Sequence, residues 1–472
     1  EHDAVDAQLR RQESDPAPLR ARLRTLLERR QALADKMREA SPRLAGLAYP
    51  RPLTAAAARE ALDPGTALLA YSVGDSDTLL FVLQPNQPPG VSTSGLDVFR
   101  LPVGRAQLEE EIRNLRATAG VGSGEANRTR NMIAARSTGK NDSAAFEKRS
   151  AALFDALIKP AYAVIAAQTR LLIAPDGPLH GLPFAALIER DAPTGGHRYL
   201  IEWKPIHITV STTVYAEMKR SRWNPDRAAA TELVAFGDPD YGVSEVNGAS
   251  SVKAKNGDEQ TTRSGLRALP DSGVEVKRIT ELYRPRAEAF LGPAATEERL
   301  KTFAGTATTP RFRYLHVASH GRLDNAFPLN SALVLSIPTA ASGNGENGLL
   351  QAWEIYEQLR IDADLVVLSA CETGSGQELG GEGLFSLSRA FLYAGARSVL
   401  ASSWAVNDAS TAELMTRFYT YLKSGRPKDD ALRAAQIDLI RGRAPAAGAR
   451  SARGEWSRPY HWAAFFLNGD WR

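Results

Sequence analysis

The chain has 472 residues, in which 58 lysine and arginine residues nearly balance 54 aspartate and glutamate residues. That length predicts two or three domains, while the nearly neutral charge, spread along the chain, gives no electrostatic case for nucleic-acid binding. The single cysteine excludes an internal disulfide and cysteine-rich metal sites, and no apolar run is long enough to span a membrane, so we expect a cytoplasmic protein without metal, cofactor or membrane partner.

Residues 1–48 are charged and favour a helix. Leu23, Leu26, Leu27 and Ala34 recur near one face of that helix. Such a face needs a partner, and two alternatives are open: the end of a preceding helical array, or a lone helix packed on the next domain. Because the chain does not begin with methionine, we expect it to be the C-terminal part of a longer protein.

A small α+β region is predicted over residues 49–145. The stretch TALLAYSVGDSDTLLFVLQPN (66–86) has two apolar runs around a turn-forming cluster, which is typical of a hairpin. A third strand over 96–103 and a helix over 106–117 should follow. Residues 118–145 are rich in glycine, serine, asparagine and arginine, and we expect them to form a mobile linker.

From residue 146 to 472 the pattern changes to short apolar runs separated by helix-length segments, beginning with a helix over 146–167. Runs that are apolar on both faces predict an α/β fold, with a mostly parallel sheet flanked by helices. Several runs end in Gly, Asp or Ser, so their C-terminal ends should form one polar rim, where ligands and catalytic groups collect. Segments 242–265, 338–348 and 442–456 have few large apolar residues and should be exposed loops.

The stretch LVVLSACETGSGQELGGEGLF (365–385) runs from an apolar strand through a glycine-rich loop towards a helix. A phosphate-binding loop is one interpretation, because backbone N–H groups at a helix start attract anions. The loop has no Gly-Lys-Ser/Thr ending, however, and Glu372, Glu378 and Glu382 would repel a polyphosphate. A nucleotide-binding protein is therefore kept only as a rival.

A nucleophile explains this stretch better. Cys371 follows the apolar run at the rim, although a cysteine taken alone is more often a core residue. In FRYLHVASHGRLDN (312–325), His320 and Gly321 stand at the same point past another strand. Two parallel strands would bring thiol and imidazole together, which raises the thiolate fraction and supplies a proton carrier. The amides of Gly321 and Cys371 are candidate oxyanion donors. The rival histidine, His316, lies within the strand and should pack beneath the site.

Four stretches together resemble the CHAT domain, a bacterial caspase-like peptidase of the clan that includes separases and caspases. They are LLIAPDGPLHGLPFAAL, YLHVASHG, LVVLSACETGSGQELGGEGLFSLSRAFLYAGARSVLASSWAVND and HWAAFFLNGDW. The resemblance covers residues 146–472. It implies a caspase-like fold in which His320 and Cys371 form the catalytic dyad. It also implies preceding tetratricopeptide repeats, which would account for a helical N-terminus.

The resemblance extends to the next strand, where caspases carry Ser-Trp-Arg and the arginine grips a substrate aspartate. Here the stretch is Ser403-Trp404-Ala405, without that cation. We therefore expect Ser403 and Trp404 to contact substrate and the residue before the scissile bond (P1) not to be aspartate.

The following stretch, NDASTAELMTRFY, should start a helix with Ser410 and Glu413 as a capping box. Asp408 would then be left on the rim. It could receive a basic P1 side chain or merely support the helix start. Basic P1 recognition in this clan often uses an acidic residue two before the cysteine. Here that position is Ser369, which counts against a basic P1 residue. With aspartate disfavoured, the P1 residue is expected to be basic or neutral and apolar.

The sequence thus predicts a cysteine endopeptidase acting on protein or peptide substrates. We expect its activity to be regulated by upstream repeats or a protein partner at the N-terminal helical region. The alternative is a CHAT-type signalling or scaffold module that keeps the fold without turnover.

Overall fold

The computed structural model describes the following residues: 53–85, 95–121, 140–192, 195–220, 231–242, 266, 268–304, 312–324, 327–337, 346–369, 371–372, 382–404, 406–443 and 455–472, with scattered positions between 18 and 36. Residues 1–54 and 55–472 form two compact units. The described positions between 18 and 36 are helical, Leu53 and Thr54 are not, and Leu23, Leu27 and Ala34 lie outside the description. Segments 242–265, 338–348 and 442–456 lie largely outside it as well.

The strands have the following bounds: β1 Thr66–Val73, β2 Thr78–Leu83, β3 Leu96–Leu101, β4 Arg170–Ala174, β5 Ile188–Glu189, β6 Arg198–Tyr199, β7 Ile206–Ile208, β8 Thr231–Pro239, β9 Ala287–Gly292, β10 Phe312–Ala318, β11 His320–Arg322, β12 Ala332–Val334, β13 Leu349–Gln351, β14 Leu365–Leu368, β15 Cys371–Glu372, β16 Ser398–Ser402 and β17 Phe465–Gly469. The helices have the following bounds: α1 Ala55–Glu60, α2 Arg105–Thr118, α3 Lys140–Leu157, α4 Tyr162–Ile165, α5 Leu200–Trp203, α6 Thr212–Arg220, α7 Pro270–Tyr283, α8 Glu297–Ala304, α9 Ala352–Gln358, α10 Glu382–Ala394, α11 Asp408–Lys423, α12 Lys428–Ile440 and α13 Pro459–Trp462. Among the described residues, no helix combines the length and the apolar character needed to cross a bilayer.

The large sheet has eleven strands in the order β3-β2-β1-β4-β7-β17-β16-β14-β10-β8-β9. Most neighbours are parallel: β1 with β4, β4 with β7, β14 with both β10 and β16, and β8 with both β9 and β10. The mostly parallel sheet flanked by helices that the sequence predicts is therefore confirmed. The predicted hairpin and third strand are present as β1, β2 and β3, and they extend this same sheet through β1.

Two apolar cores lie on the two faces of the sheet. Strand β14 shows the alternation, because Leu365 and Val367 join one core whereas Val366 and Leu368 join the other. Helices α7, α11 and α12 cover the first face, and α9 and α10 cover the second. A strand buried on both faces needs apolar side chains throughout, which is why LVVL reads as a continuous apolar run.

Past the ends of β10 and β14, the chain forms a second, four-stranded sheet in the order β13-β12-β11-β15. Strand β11 follows β10 after one residue, Ser319, and β15 follows β14 after Ser369 and position 370. Two neighbours of the large sheet thus leave it together and pair again at once. This transition positions the candidate site.

Two predicted helix boundaries differ from the structure. The helix expected over 146–167 instead spans α3, which ends at Leu157, and a 3₁₀ turn at Lys159–Ala161 separates it from α4. Pro160 lies in that turn, and its missing N–H and fixed φ disfavour a continuous helix. The predicted capping box of Ser410 and Glu413 is wrong, because Asn407 is the N-cap and its side chain accepts a hydrogen bond from the Ser410 amide at 3.1 Å.

Candidate functional site

His320 and Cys371 are paired positions of β11 and β15, two neighbouring parallel strands. Within the large sheet, Val317 pairs with Leu368 in the same register. The chains therefore do not slip relative to each other as they pass from one sheet to the next. The backbone brings the two predicted catalytic positions side by side at the carboxyl rim of β10 and β14.

His320 is 6% exposed and packs against Tyr241, which follows β8 and is 1% exposed. The ring centroids lie 5.1 Å apart with an interplanar angle of 41°. The His320 amide donates a hydrogen bond to the Tyr241 hydroxyl oxygen at 3.1 Å. Sequence reasoning missed Tyr241, because it stands outside any motif and more than seventy residues before His320.

Gly321, the predicted oxyanion donor, lies in a strand that is paired on both sides. Its position pairs with Glu372 of β15 and with Leu333 of β12. Its amide is therefore set inside a small sheet. The side chains of Cys371 and Glu372 lie outside the description, as do Glu378 and all of the loop over 373–380. The oxyanion donors Gly321 and Cys371 stay a prediction.

Ser403 and Trp404 follow β16, the neighbour of β14. Both the amide and the hydroxyl of Ser403 donate to the Ala464 carbonyl, at 2.9 and 3.0 Å, and its carbonyl accepts from Arg116 at 3.1 Å. The Trp404 indole is 1% exposed and donates to the Tyr460 carbonyl at 3.1 Å. These groups hold the end of β16 against β17 and α13, so the polar groups of Ser403 are used within the protein.

Asp408 is the first residue of α11 and is half-buried. It sits directly after the Asn407 cap, in the first turn, where a carboxylate interacts favourably with the helix dipole. Both roles considered for Asp408, support of the helix start and contact with a basic side chain, are compatible with this place.

His316 lies in the middle of β10, fully buried beneath the first face of the sheet. Its Nε2 is 2.9 Å from Oε1 of Glu275 on α7, and its Nδ1 is 3.3 Å from the hydroxyl of Tyr419 on α11. His316 therefore links β10 to the two helices that cover it. The arrangement agrees with the packing role expected for this histidine.

The stretch LLIAPDGPLHGLPFAAL begins with the last four residues of β4 and continues into the loop that follows it. His180 of this loop lines a small cavity together with Ser403, Phe465 and the amide-bearing Gln436. Burial and the Arg389 guanidinium lower the pKa of His180 to about 4, against the opposing carboxylate of Asp176. Its imidazole is therefore neutral at physiological pH.

One acidic cluster was also missed by sequence reasoning. Glu297, Glu346 and Glu354 place carboxylate oxygens within 4.8 Å of one another, a spacing that would suit a cation. The ammonium of Lys301 lies 2.7–2.9 Å from each of the three. Lys301 therefore supplies the positive charge at this position, and it ties α8 and α9 to the chain before β13.

Comparisons with known proteins identify the family and similar folds. The profile of the CHAT domain matches residues 147–470. Tetratricopeptide repeat protein 28 of Mus musculus is 33% identical over 122 residues, which cover 26% of this chain and 4% of that protein. Its Homo sapiens counterpart is 32% identical over 122 residues, with the same coverage. The chain thus spans only a small part of these relatives.

Among solved structures, separase in the separase–securin complex of Saccharomyces cerevisiae has a similar fold. Two such structures have TM-scores of 0.53 and 0.51 at 8% and 9% identity, and they cover 88% of this chain but 30% and 31% of the matched chain. At that identity the likeness shows the fold, which is the caspase-like arrangement expected from the sequence. Since the CHAT profile covers more than half of the chain, the protein belongs to the CHAT domain family.

Proposed function

We propose that the protein is a cysteine endopeptidase in which Cys371 is the nucleophile and His320 is the general base and acid. The observation that carries this proposal is the pairing of the two positions across β11 and β15. Neighbouring strands lie about 4.8 Å apart. A thiol and an imidazole at paired positions therefore need only side-chain rotation to meet.

The chemistry follows from this pair. The Cys371 sulfur bonds to the carbonyl carbon of the scissile peptide while His320 takes the thiol proton. Collapse of the tetrahedral intermediate breaks the C–N bond, and the imidazolium gives its proton to the leaving amine. Water then attacks the thioester, His320 takes a proton from that water, and the thiol is restored as the product carboxylate leaves. The amides of Gly321 and Cys371 are the proposed donors to each oxyanion.

Family and fold support the assignment to the class of cysteine peptidases. CHAT membership and a separase-like fold are what a caspase-like cysteine peptidase would show. A reducing, cytoplasmic location would keep the single thiol free to react. The second candidate, a CHAT module without turnover, has the same family and fold, so only an activity measurement separates the two.

The substrate is proposed to be a protein or peptide that adds as a β-strand beside the end of β16. The amide and carbonyl of Ser403 are already bonded to Ala464 and Arg116, so strand addition has to use the backbone groups that flank Ser403. Without an arginine after Trp404, an aspartate at P1 has no cation in this stretch to receive it. A basic P1 residue near Asp408, or a neutral apolar one, fits better.

Regulation by a protein partner is proposed as well. The curated relatives are tetratricopeptide repeat proteins, and the similar yeast structures are complexes of separase with securin. These relationships support a partner that acts through the N-terminal helical region. Equal peptide cleavage by the chain with and without an upstream repeat array would count against such control.

A proteome digest tests the assignment directly. Wild-type protein and the variants Cys371→Ala, His320→Ala and His197→Ala are incubated with a cell lysate, and new peptide N-termini are sequenced. His197 is an exposed histidine and serves as the matched control. We expect cleavage by wild type and His197→Ala alone. New N-termini produced by Cys371→Ala would exclude Cys371 as the nucleophile. If wild type produces no new N-termini, with or without a partner, the CHAT module without turnover is favoured.

A further inference from the structure

Tyr241 contacts His320 in two independent ways. Its hydroxyl oxygen accepts the main-chain N–H of His320, and its ring packs against the imidazole at 5.1 Å between centroids. Both side chains are at least nine-tenths buried. One contact holds the backbone from which the imidazole projects, and the other limits the rotation of the imidazole itself.

The main-chain contact falls just past the point where β8 stops pairing with β10. Strand β8 accompanies β10 as far as the pairing of Gly237 with Ala318. Asp238 then adopts a left-handed φ of 47°, and β8 ends at Pro239. His320, two residues past Ala318, no longer has β8 beside it and pairs instead with Val334 of β12 and Cys371 of β15. Its amide donates to the hydroxyl of Tyr241, in the segment that follows β8.

Tyr241 is itself held in place through Asp240. The Asp240 amide donates to the Ser336 hydroxyl at 3.0 Å, and the Asp240 carbonyl accepts from the Ile337 amide at 3.0 Å. Ser336 and Ile337 follow β12, whose Val334 pairs with His320. The contacts therefore form a closed loop from β11 through β12 and Asp240 back to His320.

We propose that Tyr241 is a positioning residue that holds the His320 imidazole towards Cys371. This inference rests on the proposed function, because it assumes that His320 activates the thiol. Tyr241 takes no part in bond making. Its role is to fix one orientation of the His320 imidazole, because a catalytic base acts efficiently only when its geometry is set in advance.

The single cysteine allows a test that needs no substrate. Iodoacetamide alkylates thiolate, so the initial rate of alkylation at pH 6, followed by mass spectrometry of the peptide around Cys371, reports how far His320 activates the thiol. Tyr241→Phe keeps the ring and removes the hydroxyl. We expect its alkylation rate to fall about two- to tenfold, the range that corresponds to one neutral hydrogen bond.

Further variants make the result specific. His320→Ala should slow alkylation at least as much, and Tyr241→Phe added to His320→Ala should slow it no further. Tyr421→Phe, which removes a hydroxyl bonded to Asp438 on the far helices, is the matched control and should react like wild type. Thermal unfolding of every variant verifies that it is folded.

If Tyr241→Phe does not fold, Ser336→Ala is the alternative variant. It removes the hydroxyl that accepts the Asp240 amide, and it should slow alkylation by a smaller factor.

The outcomes separate the two proposals. If His320→Ala leaves the alkylation rate unchanged, His320 does not activate the thiol and the dyad itself is wrong. If His320→Ala slows the reaction but folded Tyr241→Phe does not, the dyad stands and the role of Tyr241 is overturned. An equal effect of Tyr241→Phe with and without His320 would also overturn it, because the tyrosine would then act by another route.

Discussion

His320 pairs with Cys371 in the register that Val317 and Leu368 set three residues earlier, inside the large sheet. Each strand breaks between the two sheets, yet both advance by the same number of residues. The alignment of the candidate site therefore depends on the equal lengths of two short connections, Ser319 with Ala318 on one strand and 369–370 on the other.

An alanine inserted after Ser319 should abolish that alignment. A shift of one residue turns every following side chain of a strand to the opposite face. We expect peptide hydrolysis to fall by about a thousandfold or more, in line with loss of a catalytic group, and alkylation of Cys371 to slow. An alanine inserted between Gly195 and Gly196, where the glycines have open space around them, is the control and should have no effect. Full activity in the Ser319 insertion would refute the role of register.

His316→Leu should destabilise the fold. The substitution leaves the Glu275 carboxylate, 1% exposed, without its imidazole partner. Leaving a buried polar group without its partner typically costs about 1–3 kcal/mol. We expect a fall of that order in the free energy of unfolding in urea. The double variant His316→Leu/Glu275→Leu removes both polar groups and should be less destabilised than the sum of its single variants. Additive effects would show that the two side chains do not interact.

Lys428→Met should also be damaging, at the amino end of β14. Lys428 is 1% exposed, and its ammonium lies 2.8 Å from the carboxylate and 3.0 Å from the carbonyl of Asp364. Burial lowers the pKa of Lys428, and the carboxylates of Asp364 and Asp470 oppose that shift. Loss of the cation should cost about 3–5 kcal/mol. Lys159→Met, which breaks an exposed pair with Asp155, is the control and should leave the urea midpoint unchanged.

Acid should destabilise the protein through buried neutral histidines. Burial and the Arg458 cation lower the pKa of His461 from 6.5 to about 4. Between these pH values the unfolded chain binds a proton that the folded chain does not. The free energy of unfolding is therefore highest above pH 6.5 and decreases as the pH drops towards 4. The contribution of one such histidine is about 1.4 kcal/mol per pH unit. His180, with a pKa of about 4, acts in the same direction.

His461→Asn tests this pH dependence. Unfolding in urea at several pH values between 6.5 and 4 should show a slope shallower by about 1.4 kcal/mol per pH unit than that of wild type. Ser410→Ala is the control: it removes the hydroxyl that lies 2.9 Å from Nδ1 of His461 but keeps the imidazole, so the slope should persist. An unchanged slope in His461→Asn would mean that this histidine is protonated equally in both states.

The parts of the molecule that could be predicted are those encoded locally. Four consecutive apolar residues at Leu365–Leu368 indicate a strand buried on both faces, and the structure confirms it. Small residues after that run and after β10 placed Cys371 and His320 at the ends of strands, and the structure pairs the two positions. The parallel order of the strands follows from helix-length connections.

What could not be predicted depends on long-range contacts or on near-equal local choices. Tyr241 reaches His320 only because β8 lies next to β10, which no spacing within the sequence reveals. Asn407 and Ser410 are both good N-cap residues, and the difference was decided by packing, since Ser410 is fully buried beside His461. Likewise, β1 reads as part of an isolated hairpin until β4 is known to pair with it.

That last pairing has a practical consequence for anyone who expresses this protein in pieces. Sequence similarity to the family begins at residue 147, but hydrogen bonds join β4 to β1, which starts at Thr66. A fragment trimmed to the similarity boundary would expose the side of β4 that pairs with β1. The unpaired amides and carbonyls on that side would be free to pair with other chains, which promotes aggregation. A cut before Ala55, between the two compact units, keeps all hydrogen bonds between β1 and β4.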